Sequence, residues 1–335
     1  MKITEIKSNW KDSELRIEFA LGNTCNFKCW YCFPGSNEGT HRWQDYNTIF
    51  PHFVHLVRHY KQAGKKKIYI QVVGGEPTLW PNFANFAKAM ADEGCIMSMA
   101  TNGSRSLRWW TENAQYFHRV ILSCHHAEMD IEHTIQVADI LYKAGCIVDA
   151  NVLMDPNVWD KCVGIIEQLK TSKHKWSIVA VEITHDTVSY TDDQKQYLQQ
   201  FMKRTPNLWY FFKNNKYHVD KIKVVTDELK TKSVTPTWIK LNNLNHFKGW
   251  NCNLGMDSIF IDNDGQIRGT CGELLYGKKF YYNLYQPNFI KEFNPELIPV
   301  TCTKQSCHCQ PEVNLRKQEG KPLLVEYPLN KYTSL

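Results

Sequence analysis

The sequence has no run of about 18 uncharged apolar residues, so no membrane-spanning helix is expected. Met1 to Lys11 alternates charged and apolar positions and lacks the apolar segment of a secretory leader, so no signal peptide is expected either. Charge of one sign is scarce as well. The 40 basic residues face 34 acidic ones, a net +6 spread over 335 residues. An excess that small does not build a nucleic-acid groove, although it permits an anionic substrate. Disorder is excluded by composition, because 43% of residues are apolar and 22% charged, enough for a full core. At this length the expectation is one large barrel, or a barrel with a smaller module.

Strand and helix signals alternate from Leu15 to about residue 190. The apolar positions Leu15, Ile17, Phe19 and Leu21 alternate as in a strand with one packed face. Ile49, Phe50, Phe53, Val54 and Val57 then recur at helical spacing, and Lys67 to Val73 reads as the next strand. Further strands are expected over Cys95–Ala100, Val120–Cys124, Cys146–Met154 and Ile178–Ile183, with helices between them. Six such alternations, with helices long enough for right-handed crossovers, argue an α/β fold whose parallel sheet curls into a full or partial barrel. Composition then shifts. A helix is expected from Thr191, and 205–236 is rich in Lys, Asn and aromatics, with one strand near Lys221 to Val225. The expected division is a barrel over 1–190, a connecting segment over 191–236 and a small α+β domain over 237–335.

Twelve cysteines are unevenly placed. Cys95, Cys124, Cys146 and Cys162 are isolated in apolar patterns, where a reduced thiol packs as a small hydrophobe. Cys25, Cys29 and Cys32 fall within eight residues, on the loop leaving the first strand. Three thiolates on one loop can hold three corners of a four-iron, four-sulfur (4Fe-4S) cluster and leave the fourth iron open to a ligand that is not protein. A zinc knuckle would need a fourth local ligand, and His41 stands at no usual spacing for one. A disulfide framework would want an even count and a short extracellular chain. Free thiols in such number point to a reducing, cytoplasmic location.

The spacing of Cys25, Cys29 and Cys32, with Tyr31 before the last thiol, resembles the radical S-adenosylmethionine (SAM) superfamily. Gly74-Gly75-Glu76-Pro77, one strand later, resembles the segment by which that family holds the SAM amino group. The resemblance implies a partial (β/α)6 barrel. It places Tyr31 against the adenine, Gly74, Gly75 and Glu76 at the amino group, and Thr101 and Asn102 at the same cofactor-facing end. Ser123 matches the polar residue that meets the ribose or carboxylate, and Asn151 a ribose contact, with a satisfied barrel residue as its other reading. Many relatives carry an arginine about eleven residues beyond the serine; here the neighbourhood holds His133 instead.

A second unit begins at Cys252. Ser258 to Ile261 and Gln266 to Thr270 flank Asn263-Asp264-Gly265, a hairpin signal, so Cys252 and Cys271 bracket a ribbon. With Cys302, Cys307 and Cys309 this set resembles the twitch module, a shortened SPASM domain that carries one auxiliary 4Fe-4S cluster. Four of the five thiols suffice for a cluster, and structural zinc is the competing reading.

The implied reaction is reductive cleavage of SAM, after which a 5'-deoxyadenosyl radical takes hydrogen from a substrate C–H bond. A reductant such as flavodoxin or ferredoxin would supply the electron. Substrate contacts are expected from His125, His126 and Glu182, with His185 beside them, at strand ends the cofactor does not use. The substrate class stays open between a small molecule, sugar or nucleotide and a peptide. With roughly fourteen residues before the first barrel strand, no peptide-recognition domain is expected there, which lowers the peptide reading without excluding it. A non-catalytic electron carrier or zinc-binding module is the alternative from another class.

Overall fold

A computed structural model describes residues 2–8, 11–32, 35–173, 176–183, 187–202, 222–234, 238–239, 242–269, 282–307 and 313–320. In chain order the elements are β1 (Ile3–Lys7), β2 (Glu14–Ala20), α1 (Tyr46–Gln62), β3 (Lys67–Val73), α2 (Phe83–Asp92), β4 (Ile96–Thr101), α3 (Leu107–Asn113), β5 (Arg119–Cys124), α4 (Ile131–Lys143), β6 (Ile147–Met154), α5 (Trp159–Leu169), β7 (Ser177–Glu182) and α6 (Asp192–Met202). There follow β8 (Ile222–Thr226), β9 (Thr231–Val234), β10 (Asn251–Cys252), β11 (Ser258–Ile261), β12 (Ile267–Arg268), α7 (Phe289–Glu292), β13 (Val300–Thr301) and β14 (Lys317–Gln318).

The chain folds as two contact units that interleave along the sequence. One holds Met1–Glu18, Asn47–Ile68 and Pro206–Leu335, the other Phe19–Tyr46 and Tyr69–Thr205. The expected boundaries at 190 and 236 are linear, whereas this division follows pairing.

In the sheet of the second unit, which takes in the end of β2 and most of β3, β2 to β7 lie side by side in sequence order, and every register from β3 to β7 is parallel. Strands in that order, joined by helices, make the α/β architecture of a partial (β/α)6 barrel. Residues opposite one another in a parallel ladder share a face, and alternate residues along a strand return to it. Ser123 is opposite Asn151, and Asn151 opposite Val179. Asp149 and Leu153 therefore share the Asn151 face. The helices cap this sheet with apolar stripes such as Phe83, Phe86, Ala87 and Met90, all buried. Cys95, Cys124, Cys146 and Cys162 are buried too, as expected of packing thiols.

In the first unit β1 pairs with β8 and β14, and β10 pairs with β13 and β14, all antiparallel. Ile3, Ile6, Ile222, Val224, Phe247, Trp250, Cys307 and Val313 form its core. The hairpin β11–β12 forms at the expected turn, where Gly265 has φ +81°. Among the described residues, no helix is long and apolar enough to cross a membrane.

Candidate active site

The cysteine loop and the loop after β3 are stitched together by backbone. Leu21 N–H donates to the Val73 carbonyl at 3.0 Å, and Glu76 N–H to the Thr24 carbonyl at 2.9 Å. The approach leaves no room for side chains. A Cβ on Gly74 would sit 2.6 Å from the Gly22 carbonyl oxygen, and one on Gly75 2.3 Å from that of Thr24. Both glycines also take positive φ, +87° and +51°, which other residues rarely adopt.

Glu76 is completely buried. Its Oε1 accepts from Thr78 N–H at 3.1 Å, Thr78 Oγ1 at 2.6 Å and Thr101 Oγ1 at 2.7 Å. Its Oε2 accepts from Asn102 N–H at 2.6 Å. A carboxylate offers about two lone pairs per oxygen, so Oε2 keeps acceptor capacity. Burial pushes the Glu76 carboxyl above its ordinary range, and the four donors pull the other way. None of those donors is a cation. Asn102 continues the chain of contacts, with Nδ2 on Asn26 Oδ1 at 2.9 Å and 3.8 Å from Cys25 Sγ.

Cys25, Cys29 and Cys32 share one packed neighbourhood with Phe27, Tyr31, Leu153 and Ile183. They carry free thiols. The turn is fixed by Cys32 N–H on the Cys29 carbonyl, 3.1 Å, and Cys25 Sγ accepts from Phe27 N–H at 3.3 Å. The Cys29 thiol is pushed up to about 11, chiefly by burial and then by the nearby sulfurs of Cys32 and Cys25. Three thiolates crowded in this way need positive charge among them, and an iron cluster supplies it. The donor set therefore fits a cluster bound through one thiolate per iron. Among the described residues, no group of three His, Cys, Asp or Glu is arranged to hold a metal ion.

Tyr31 is buried between imidazoles. Its hydroxyl lies 3.2 Å from His125 Nδ1, its ring is stacked on His125 at 5.8 Å, and it leans on His126 at 5.8 Å and 32°. Burial, followed by the charge of His126, pushes His125 down to about 4, so it is neutral at pH 7. Leu153 packs against the cysteine cluster, so the face of β6 that carries Asn151 is turned toward the thiols, with Ser123 beside it. The structure thus gathers Cys25, Cys29, Cys32, Tyr31, Glu76, Asn102, His125 and His126. Glu182 is not among them: it is exposed and stands opposite Met154, one residue out of phase with the Asn151 face. His133 Nε2 sits 3.1 Å from the Gly103 carbonyl and 2.9 Å from that of Arg105. His185, Cys271 and Cys309 lie outside the described residues. Cys302 packs against the core that contains Cys307, and Cys252 stands opposite Val300.

Two residues at the site have no counterpart in the sequence reading, Trp30 and Asp155. Trp30 Nε1 donates to Asp155 Oδ2 at 3.1 Å, and Asp155 is buried. One signal was available. Asp155-Pro156 ends β6 as Glu76-Pro77 follows β3, and each acid accepts from the N–H two residues on, Asn157 or Thr78.

Compared with known proteins, residues 19–169 match the family described as the Radical SAM superfamily. A GTP 3',8-cyclase of Haemophilus influenzae (strain 86-028NP) is 31% identical over 91 residues, 27% of this chain and 26% of that protein. One from Psychromonas ingrahamii is 32% identical over 85 residues, 25% and 24% of the two chains. The matches thus span about a quarter of these relatives' length. Among solved structures, Streptococcus suis SuiB bound to S-adenosylmethionine is similar over 84% of this chain and 66% of that one, at 13% identity and a TM-score of 0.48. Over residues 19–169, a little under half of its length, the chain is thus similar to the radical SAM superfamily.

Proposed function

We propose that this protein is an enzyme that binds a 4Fe-4S cluster through Cys25, Cys29 and Cys32 and SAM at the cluster's open corner. When bound and reduced, the pair supplies a 5'-deoxyadenosyl radical able to take hydrogen from a substrate C–H bond. The chain's own residues bind, orient and exclude water. The observation that carries this reading is Glu76, a buried carboxylate with spare acceptor capacity and no cation on it among the described residues, on a loop hydrogen-bonded to the cysteine loop. A ligand ammonium would complete it. Asn102 ties that loop to Cys25, Tyr31 closes the thiols' apolar side, and Ser123 and Asn151 line the adjoining face for ribose or carboxylate. Gly74, Gly75 and Thr101 act by close approach and by holding Glu76.

His125 and His126 are the strand-end groups that we assign to the ligand side. The curated relatives' name makes guanosine triphosphate the first substrate to try, and the net charge of +6 suits an anion. Sugars and peptides follow. A twitch-like module carrying a second cluster on Cys252, Cys271, Cys302, Cys307 and Cys309 would accept an electron or bind substrate, with flavodoxin or ferredoxin as reductant.

The test is anaerobic reconstitution. The protein should hold a four-iron cluster and release 5'-deoxyadenosine from SAM with a strong reductant. Changing Cys25, Cys29 and Cys32 together to Ala should abolish that release and, if the second cluster exists, remove about half the iron. Deuterated nucleotide, sugar and peptide pools identify the substrate by deuterium in the 5'-deoxyadenosine. Iron-loaded protein that binds SAM and never cleaves it would return the reading to a non-catalytic module.

A further inference from the structure

Beside the cysteine loop, at the ends of β5 and β6, one polar atom has been left without a partner. The His126 side chain is 8% exposed, and its Nδ1 is buried with no hydrogen bond among the described residues. Folded proteins rarely keep a buried ring nitrogen idle unless something outside the chain uses it. The neighbours show what kind of partner is missing. Asp155 Oδ2 lies 3.8 Å from His126 Nε2, and the carboxylate is itself fixed by Trp30 Nε1 at 3.1 Å and by Asn157 N–H on Oδ1 at 2.9 Å. A buried negative charge on the Nε2 side draws the imidazole proton there and leaves Nδ1 as a lone pair. Burial also favours the neutral ring, against the pull of Asp155. Tyr31, whose ring leans on His126, directs its hydroxyl at His125 instead. The vacant position is therefore an acceptor flanked by an aromatic face, one ring away from the loop that ends at Cys32.

We propose that His126 Nδ1 accepts a hydrogen bond from an N–H or O–H of the bound ligand, and that Asp155 is the positioning residue that fixes its tautomer. The site then selects a ligand with a donor against an aromatic ring. Two ligands offer that chemistry, the nucleoside end of the cofactor and a hydroxyl or amine of the substrate. The inference rests on the function proposed above.

The experiment uses reconstituted, iron-assayed protein carrying His126→Asn, His126→Gln, His126→Phe or Asp155→Asn. Asn places its amide near the Nδ1 position, Gln near Nε2, and Phe keeps the ring without an acceptor. The probes are S-adenosylhomocysteine, its counterpart with inosine in place of adenosine, and deuterium transfer from the substrate pools. If the donor is on the cofactor, affinity for S-adenosylhomocysteine falls about tenfold in the Phe and Gln variants and is largely kept by Asn. Loss of wild-type preference over the inosine counterpart in His126→Phe then places the donor on the base amino group. If the donor is on the substrate, the same pattern appears in deuterium transfer. Asp155→Asn should follow His126→Gln in whichever readout moves, with no added loss when combined with His126→Phe. Equal losses in the Asn and Phe variants would mean packing alone and overturn the proposal, as would no change in either readout. Wild-type protein that holds iron but binds no S-adenosylhomocysteine overturns the proposed function and this inference together. Wild-type binding with silent variants overturns this inference only.

Discussion

Glu76 and Asp257 are both buried carboxylates, one in each contact unit, and the chain treats them in opposite ways. Asp257 is given cations. Lys65 Nζ reaches its Oδ1 at 2.8 Å, Arg316 forks onto both oxygens at 2.7 to 2.9 Å, and Asn253 Nδ2 adds a bond at 2.9 Å. Lys65 is anchored in turn on the Asp12 and Glu14 carbonyls. Burial opposes the charge on Asp257, and two cations at contact distance offset it. Glu76 receives four neutral donors and, among the described residues, no cation. Removing a charge from water without a counter-ion is costly, so a fold that supplies two to one carboxylate and none to the other marks the second for a ligand.

The contrast can be broken from the structural side first. Asp257→Ala leaves Lys65 and Arg316 facing each other in a buried site and should cost about 3 to 5 kcal/mol in urea unfolding. Affinity for S-adenosylhomocysteine per folded molecule should stay as in the wild type. On the ligand side, Gly75→Ala drives a Cβ into the Thr24 carbonyl and forces φ +51° on a residue that resists it. The strain of about 1 to 3 kcal/mol should separate the two loops and lower iron retention along with thermal stability.

The next effect depends on pH. His125 is held down to about 4, below an unfolded value of about 6.5, so its contribution is present above pH 6.5 and lost as pH falls toward 4. Wild-type stability should drop by roughly 1 to 3 kcal/mol across that window, and His125→Phe should flatten the drop in thermal scans at stepped pH. The smallest effect is assigned to Glu182. Glu182→Ala, on an exposed position out of phase with the site, should change unfolding free energy by no more than about 0.5 kcal/mol, and calorimetry checks it.

Much of the strand–helix alternation could be read in advance because its signals are local. Alternation at Leu15 to Leu21 gave β2 to within a residue, and helical spacing at Ile49 to Val57 fell inside α1. The three thiols and the paired glycines were visible because spacing along the chain sets their chemistry. The remainder depended on distant pairing. β10, β13 and β14 have two residues each, too few to carry a period, and exist only as partners. β1 joins the C-terminal strands across more than 200 residues of chain. The Asp155 contact with Trp30 likewise closes over 125 positions. Glu182 was placed by its nearness to a strand end, whereas the register, which the sequence does not show, sets its face.

The central claim, that the missing counter-ion of Glu76 is a ligand ammonium, is tested most directly by a double-mutant cycle on binding. Reconstituted wild-type protein and Glu76→Gln would each be titrated with S-adenosylhomocysteine and with its analogue lacking the amino group. The wild type should prefer the amino compound by about 30-fold or more, near 2 kcal/mol, and Glu76→Gln should lose this preference. Equal affinity of the wild type for both compounds, or an undiminished preference in Glu76→Gln, would contradict it.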